Sequence, residues 1–334
     1  MIHKLMSAVA ATLVLGSAAA AQTTLPFALD WKFEGPAAPY FLAIDNGHFG
    51  AVGLDVEIVE GNGSLDAIPK VATGAFPVGF ADINSLMRFL DQNPGAPVTA
   101  VMMIYDKPPF AVVGRRSLGV SEPADLIGKV LGAPPPDGAW AQFPIFAAEN
   151  GLDMAQITVE PVGFPVREPM LADGQVQAIT GFSFTSSLNT ERLGVPMEDL
   201  SIMLMADYGV ALYGNAIIVN TDWAAENGDA LTAFLGAVAL GWKDAIADPE
   251  AAVAALMTRN PAADPVLEQN RLQMSIDANV LTPFVQDNGL GNIDAARMAT
   301  AIEQTRSVYE FVAEPDAALY FTSEYLPADG LMLQ

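Results

Sequence analysis

The 334-residue chain has no cysteine. That excludes disulfides, thiolate metal sites and a lipid-modified N-terminal cysteine. Histidine is nearly absent as well. His3 lies in the N-terminal segment and His48 falls at a helix–strand turn. A Ser-His-Asp hydrolase would have to use His48, and the sequence holds no G-x-S-x-G elbow. Metal catalysis lacks ligands beyond scattered carboxylates. The reading is therefore a non-enzyme with no catalytic residue, no metal site and no cofactor. Positive charge is scarce, with 15 Lys and Arg against 39 Asp and Glu, a net charge of −24. Nucleic acid and anionic membrane surfaces are poor partners for such a chain.

Long apolar runs are scarce too. The one that stands out is N-terminal: Lys4 supplies a positive charge, Leu5 to Ala20 is apolar, and small residues end the run at Ala19-Ala20-Ala21. That layout predicts a secretory signal peptide over 1–21, cleaved near Ala21. No other stretch approaches the roughly 18 apolar residues of a membrane span. The expectation is an exported, unanchored protein of the bacterial periplasm, long enough for about two domains after the signal.

What is present is one order of elements, used twice. The first half reads TLPFALDW as a strand, a helix near Ala38–Asn46, the strand LDVEIVEG, and a helix from Ser64 to Gly74 with Ser64 as its cap. The strand PVGFAD, a helix and the strand PVTAVMMIYD complete it. The second half reads KVLGAP as a strand, a helix from about Ala139, the strand ITVEPVGF, and a helix from Arg167 to Asp173. The strand VQAITGFSF, a helix and the strand LSIMLMAD follow. Short apolar strands alternating with helices imply parallel sheets covered on both faces, hence two α/β lobes. Crossings near Pro108–Gly114 and Leu212–Val219 would form a two-strand hinge. The part from Thr221 onward is helical, with Asp248-Pro249 and Asp264-Pro265 as helix starts.

Ligands of open parallel sheets sit outside the carboxyl ends of the strands. That rule selects loops rich in aromatic, amide and carboxylate groups: Trp31, Asn62, Ser64, Asp82 and Asn84 from lobe one, and Asp137, Trp140, Phe164, Glu168, Phe182, Tyr208, Tyr213 and Asn215 from lobe two and the return crossing. The stiff stretch GAPPPDGAW, ending at Trp140, reads as one cleft wall. Each residue has a plainer role open to it. Trp31 and the phenylalanines suit a core, Asp137 suits a helix cap, and Tyr208 and Tyr213 suit hinge packing.

The stretch LDWKFEGPAAPYFLAIDNGHF, followed by GLDVEIVEGNGSLDAIPKVATGAFPVGFAD, resembles the N-terminal signature of solute-binding proteins of bacterial ABC importers. The similar branch serves nitrate, sulfonates, taurine and the pyrimidine precursor of thiamine. The resemblance covers about residues 25–245. It implies a two-lobed periplasmic binding protein of the second topological type, with lobe one formed by 22–110 plus 216–334 and lobe two by 111–215. It also implies a monomer that closes on a small-molecule ligand and delivers it to an inner-membrane permease. Trp31, the Ser64 helix start, Asp82-Ile83-Asn84, the Asp137–Trp140 loop and the end of the Phe182 strand fall on ligand-contact positions. The same family includes eukaryotic enzymes that make the thiamine pyrimidine, but these need a Cys cluster. Lys32, Lys107 and Arg167 are the few cations near the cleft. The favoured ligand is a planar, neutral or weakly cationic heterocycle. A sulfonate- or nitrate-type anion, and a sensing module for a membrane receptor, are the alternatives.

Overall fold

The computed structural model describes residues 22–328 and 331–333. The expected signal segment, 1–21, lies outside the described residues. The first four strands are β1 (Thr23–Ala28), β2 (Leu54–Val59), β3 (Val78–Asp82) and β4 (Val98–Met103). Then come β5 (Phe110–Arg115), β6 (Val130–Ala133), β7 (Thr158–Pro161), β8 (Ala178–Phe182), β9 (Leu200–Leu204) and β10 (Asn215–Asn220). They form two five-stranded sheets, ordered β2-β1-β3-β10-β4 and β7-β6-β8-β5-β9. The architecture is two α/β lobes with a helical C-terminal part.

The sheets are mixed, not wholly parallel as the alternation of elements suggested. β10 runs antiparallel to β3 and β4, and β5 runs antiparallel to β8 and β9. Both strands follow a crossing between lobes, so each enters its sheet from the cleft end, against the direction of the βαβ strands. The crossings themselves are residues 104–109 and 205–214, between strands that each belong to one sheet. The hinge expected at Pro108–Gly114 and Leu212–Val219 therefore overlaps strands that do not cross. The two connections are tied together: Tyr105 N donates to Asn215 O at 2.9 Å, and Gly214 N donates to Tyr105 O at 2.9 Å.

The principal helices are α1 (Ala38–Asp45), α2 (Ser64–Ala72), α3 (Ile83–Gln92), α4 (Gly138–Glu149), α5 (Phe164–Ala172) and α6 (Ser183–Arg192). The C-terminal part supplies α7 (Thr221–Ala247), α8 (Pro249–Arg259), α9 (Pro265–Ser275) and α10 (Ala295–Arg306). Asp248 and Asp264 accept backbone N–H groups at the starts of α8 and α9, each followed by proline. By length and composition α7 could cross a membrane, contrary to the sequence reading. Half of its most apolar stretch is instead buried, with Phe234, Val238 and Trp242 in the core of lobe one. α10 touches both cores: Met298 joins lobe one and Ala301 joins lobe two.

Candidate functional site

The carboxyl ends of β1, β3, β6 and β8 converge between the lobes. A chamber of about 40 Å³ lies there, well below the roughly 300–1,000 Å³ range of small-molecule sites. Lobe one supplies Asp30 and Trp31 just past β1, and Gly63 and Ser64 at the start of α2. Lobe two supplies Pro136, Asp137 and Gly138 before α4, Phe164 and Arg167 on α5, Phe182 at the end of β8, and Thr185 on α6. The walls touch. Trp31 meets Phe164 edge-on, with ring centroids 4.8 Å apart. Gly63 has φ +102, and a side chain there would stand 3.3 Å from the Pro136 carbonyl. Polar contacts also span the gap: Thr185 donates to Glu34 at 3.1 Å, and Arg88 donates to Gln142 at 3.1 Å. The lobes are closed on one another.

A second chamber of about 30 Å³ adjoins the first and shares Asp30, Trp31 and Phe182 with it. Its other walls include Glu34, Tyr40, Phe80, Tyr105 and Phe184. Asp30 thus stands at the junction of the two.

Four acids line or back these chambers. Asp30 is buried and accepts from Asn215 Nδ2 at 2.6 Å and Ser64 Oγ at 3.1 Å. Burial pushes its carboxyl up to about 7, because two neutral donors offset only part of the lost hydration. Asp137 is also raised by burial, but Arg167 opposes that shift, with Nη1 3.9 Å from Oδ2. Thr180 Oγ1 donates to it at 2.9 Å. Burial raises Asp82, which caps α3 by accepting from Asn84 N and Ser85 N. Burial raises Glu34 as well, against the pull of Arg271.

Arg167 is the cation on the first chamber's wall, and its charge is already matched; Lys32, on the second, lies 3.7 Å from Glu60 and donates to the Gly61 carbonyl. Arg167 Nε and Nη2 donate to Glu168 Oε1 at 2.8 and 2.6 Å, and Asp137 stands on the other side. Gly181 makes room for it: a Cβ there would lie 2.9 Å from Nη1 and 2.1 Å from Ser186 Oγ. The helix N-termini are partly taken. Asp82 and Asp137 occupy those of α3 and α4, while α2, α5 and α6 begin without a side-chain cap.

Of the residues singled out from the sequence, Trp31, Ser64, Asp137, Phe164 and Phe182 line the chamber. Ser64 is not the cap of α2; the chain turns at Gly63 instead. Its hydroxyl donates to Asp30 and accepts from Asp82 N at 3.0 Å, joining two buried strand ends. Asp82, Asn84 and Asn215 lie one layer behind: Asn84 holds Asp82 and the Tyr213 carbonyl, and Asn215 holds Asp30. Glu168 acts through Arg167. The other four lie elsewhere. Asn62 is exposed and accepts from Lys32 at 3.0 Å. Trp140 stacks on Phe143 at 5.7 Å, against lobe two's own core. Tyr208 packs edge-on to Phe146. Tyr213 accepts from Asp294 N at 2.7 Å, under the Arg297 guanidinium. The sequence reading missed Asp30 and Thr185 and treated Arg167 only as a nearby cation. The signal for Asp30 was its place directly after a strand, beside Trp31.

Residues 36–252 match the family described as NMT1/THI5 like. The chain belongs to that family. Among curated relatives, the riboflavin-binding protein RibY of Chloroflexus aurantiacus is 27% identical over 87% of this chain and 82% of its own. The formylaminopyrimidine-binding protein of Halalkalibacterium halodurans is 27% identical over 74% of each. The curated relatives also include the 4-amino-5-hydroxymethyl-2-methylpyrimidine phosphate synthase of Schizosaccharomyces pombe. It is 23% identical over 67% of this chain and 66% of its own. Among solved structures, the periplasmic aliphatic sulphonate binding protein SsuA of Escherichia coli superposes with a TM-score of 0.68 at 13% identity. The match covers 90% of this chain and 98% of that one. That likeness fixes the fold, the two-lobed fold of periplasmic binding proteins.

Proposed function

We propose that the chain is the extracytoplasmic substrate-binding component of an ABC import system. It captures a small planar heterocycle between its lobes and passes it to a membrane permease. The observation that carries the ligand class is the charge balance of the chamber. Arg167 is matched by Glu168 and Asp137, while Asp30 faces the space with no cation of its own. A nitrate or sulfonate there would lack a free counter-charge and would meet Asp30. A ring with amine donors would give Asp30 its missing partner, and its faces would lie along Trp31, Phe164 and Phe182. Relatives named for binding riboflavin and formylaminopyrimidine support the same class.

In this reading the protein is exported to the periplasm, acts as a monomer, and binds without turnover. His48 supports the last point, since Asp244 holds it at 2.6 Å away from the chamber. So does the absence of cysteine from the sequence. The test is a thermal melt against pyrimidines, flavins, taurine, alkanesulfonates and nitrate. A ligand at about 100 times its dissociation constant adds about 2.7 kcal/mol of stability. A shift with a heterocycle, a smaller radius of gyration in solution scattering and unchanged ligand on recovery are expected. A shift with taurine or nitrate alone overturns the ligand class, and a converted ligand overturns the binding-only role.

A further inference from the structure

We propose that Gln142 is a positioning residue that holds the lobes together, by carrying a polar relay from Arg88 to Asp82 across the seam between them. The inference needs the reading that the lobes part and close, and no particular class of ligand. Gln142 lies on α4 in lobe two and is fully buried. Both of its partners belong to lobe one: Asp82 caps α3, and Arg88 lies further along the same helix. Gln142 Oε1 accepts from Arg88 Nη2 at 3.1 Å, and its Nε2 donates to Asp82 Oδ2 at 3.4 Å. Gln142 lines neither chamber, so its contacts act on the lobes and not on what lies between them.

Arg88 is the more dependent partner. Asp82 also accepts from Asn84 and Ser85. Arg88 is half-buried, its Nε is buried without a partner, and its other neighbour is the Tyr309 ring, 5.3 Å from the guanidinium carbon. Burial makes its charged form costly and lowers its pKa, against the attraction of Asp82. Parting the lobes would return the guanidinium to water, and closing them replaces that water with Gln142. An amide serves both ends, since its oxygen faces the cation and its amine faces the carboxylate. A glutamate there would repel Asp82, and a leucine would leave both groups without their partner. Another contact between the lobes, Arg271 Nη2 to Asn189 Oδ1 at 2.8 Å, differs in this respect. Arg271 is held by both oxygens of Glu268, on its own helix, at 2.5 and 2.7 Å. It keeps its counter-charge whether or not the lobes meet.

The chain has no cysteine, so Glu57→Cys and Glu160→Cys give a clean spin-label pair. Each is an exposed position on the edge strand of one sheet. Electron-spin distance measurements on this background, with no ligand added, should show a short-distance, closed population. Gln142→Leu should lower the closed-to-open ratio about 10- to 100-fold, the worth of hydrogen bonds to a charged group. Arg88→Met should do the same from the other lobe, which separates loss of the relay from a folding defect in lobe two. The double variant should open the lobes no further than either single one, because both break one relay. Asn189→Ala should lower the ratio less. A background that is open throughout overturns this inference alone. So do fully additive effects of the two substitutions, or a larger shift from Asn189→Ala. A single separation shared by the background and every variant removes lobe motion itself, and this inference with it.

Discussion

Asp30 and Asp137 close the same chamber from opposite lobes, and both are buried carboxylates just past a strand. Their surroundings differ in one respect. Asp137 has a guanidinium 3.9 Å away, a threonine hydroxyl and the N-terminus of α4. Asp30 has a serine and an asparagine. Burial raises both; a full opposite charge opposes the shift at Asp137, whereas neutral donors alone oppose it at Asp30, which is carried to about 7. Lobe two therefore presents a fixed, internally balanced wall. Lobe one presents a carboxyl that changes charge near neutrality and can answer a ligand. Neutral donors position a buried acid; a cation settles its charge.

Removing the cation should break this difference most severely. Arg167→Met leaves Glu168 and Asp137 buried with no opposite charge at the site. Stripping one partner from a buried ion pair costs roughly 3–5 kcal/mol, and urea unfolding at pH 7.5 should show a loss of that order. A loss below about 1 kcal/mol would mean that water or side-chain relaxation already screens the cluster.

The next largest effect sharpens the contrast by pH. Asp30's folded pKa, about 7, lies above the ordinary aspartate value of 3.8. The folded state therefore holds the proton more tightly, and that contribution is full below pH 4. It is lost as pH rises through about 7. Relative to the wild type, Asp30→Asn should gain stability between pH 4 and 7 and level off above. The gain is about 4 kcal/mol at most, at 1.36 kcal/mol per pKa unit. Difference curves from denaturant unfolding across the range would check it; a flat curve for Asp30→Asn would remove the carboxyl's charge change near neutrality. The same logic extends to the ligand. An amine-bearing ring should bind more tightly as pH rises through 7 in the wild type, and not in Asp30→Asn.

The strand–helix order, the two lobes and the carboxyl-end rule were legible because apolar runs, glycine stops and Asp-Pro starts are local signals. So were Trp31, Phe164 and Phe182, which sit where strands end or helices begin. The directions of β5 and β10 were not legible, since nothing inside a strand records which end it enters from. Nor was the choice among acids. Asp30, Asp82 and Asp137 look alike in sequence, and only the three-dimensional company of Arg167, Ser64 and Asn215 separates them. Trp140 misled for a related reason. A stiff loop before a helix fixes where the helix starts, but the side chain three residues past Asp137 points where helical geometry sends it, here onto Phe143.

The two tryptophans give the smallest and most discriminating comparison. Trp31 lines both chambers and meets Phe164 across the gap. Trp140 is half-buried against lobe two's own core, outside the chamber lining. Trp31→Ala should remove most of a ligand-induced melt shift, because it deletes the aromatic face on which a ring would lie, worth roughly 0.5–1.5 kcal/mol beyond area burial. Trp140→Ala should leave that shift intact and lower the unliganded stability by about 1–2 kcal/mol, less than the roughly 3–5 kcal/mol of a fully buried aromatic truncation. Melts of both variants with and without a bound heterocycle separate the two roles. If Trp140→Ala abolishes the shift instead, its stack on Phe143 opens when ligand enters, and the loop before α4 is a cleft wall after all.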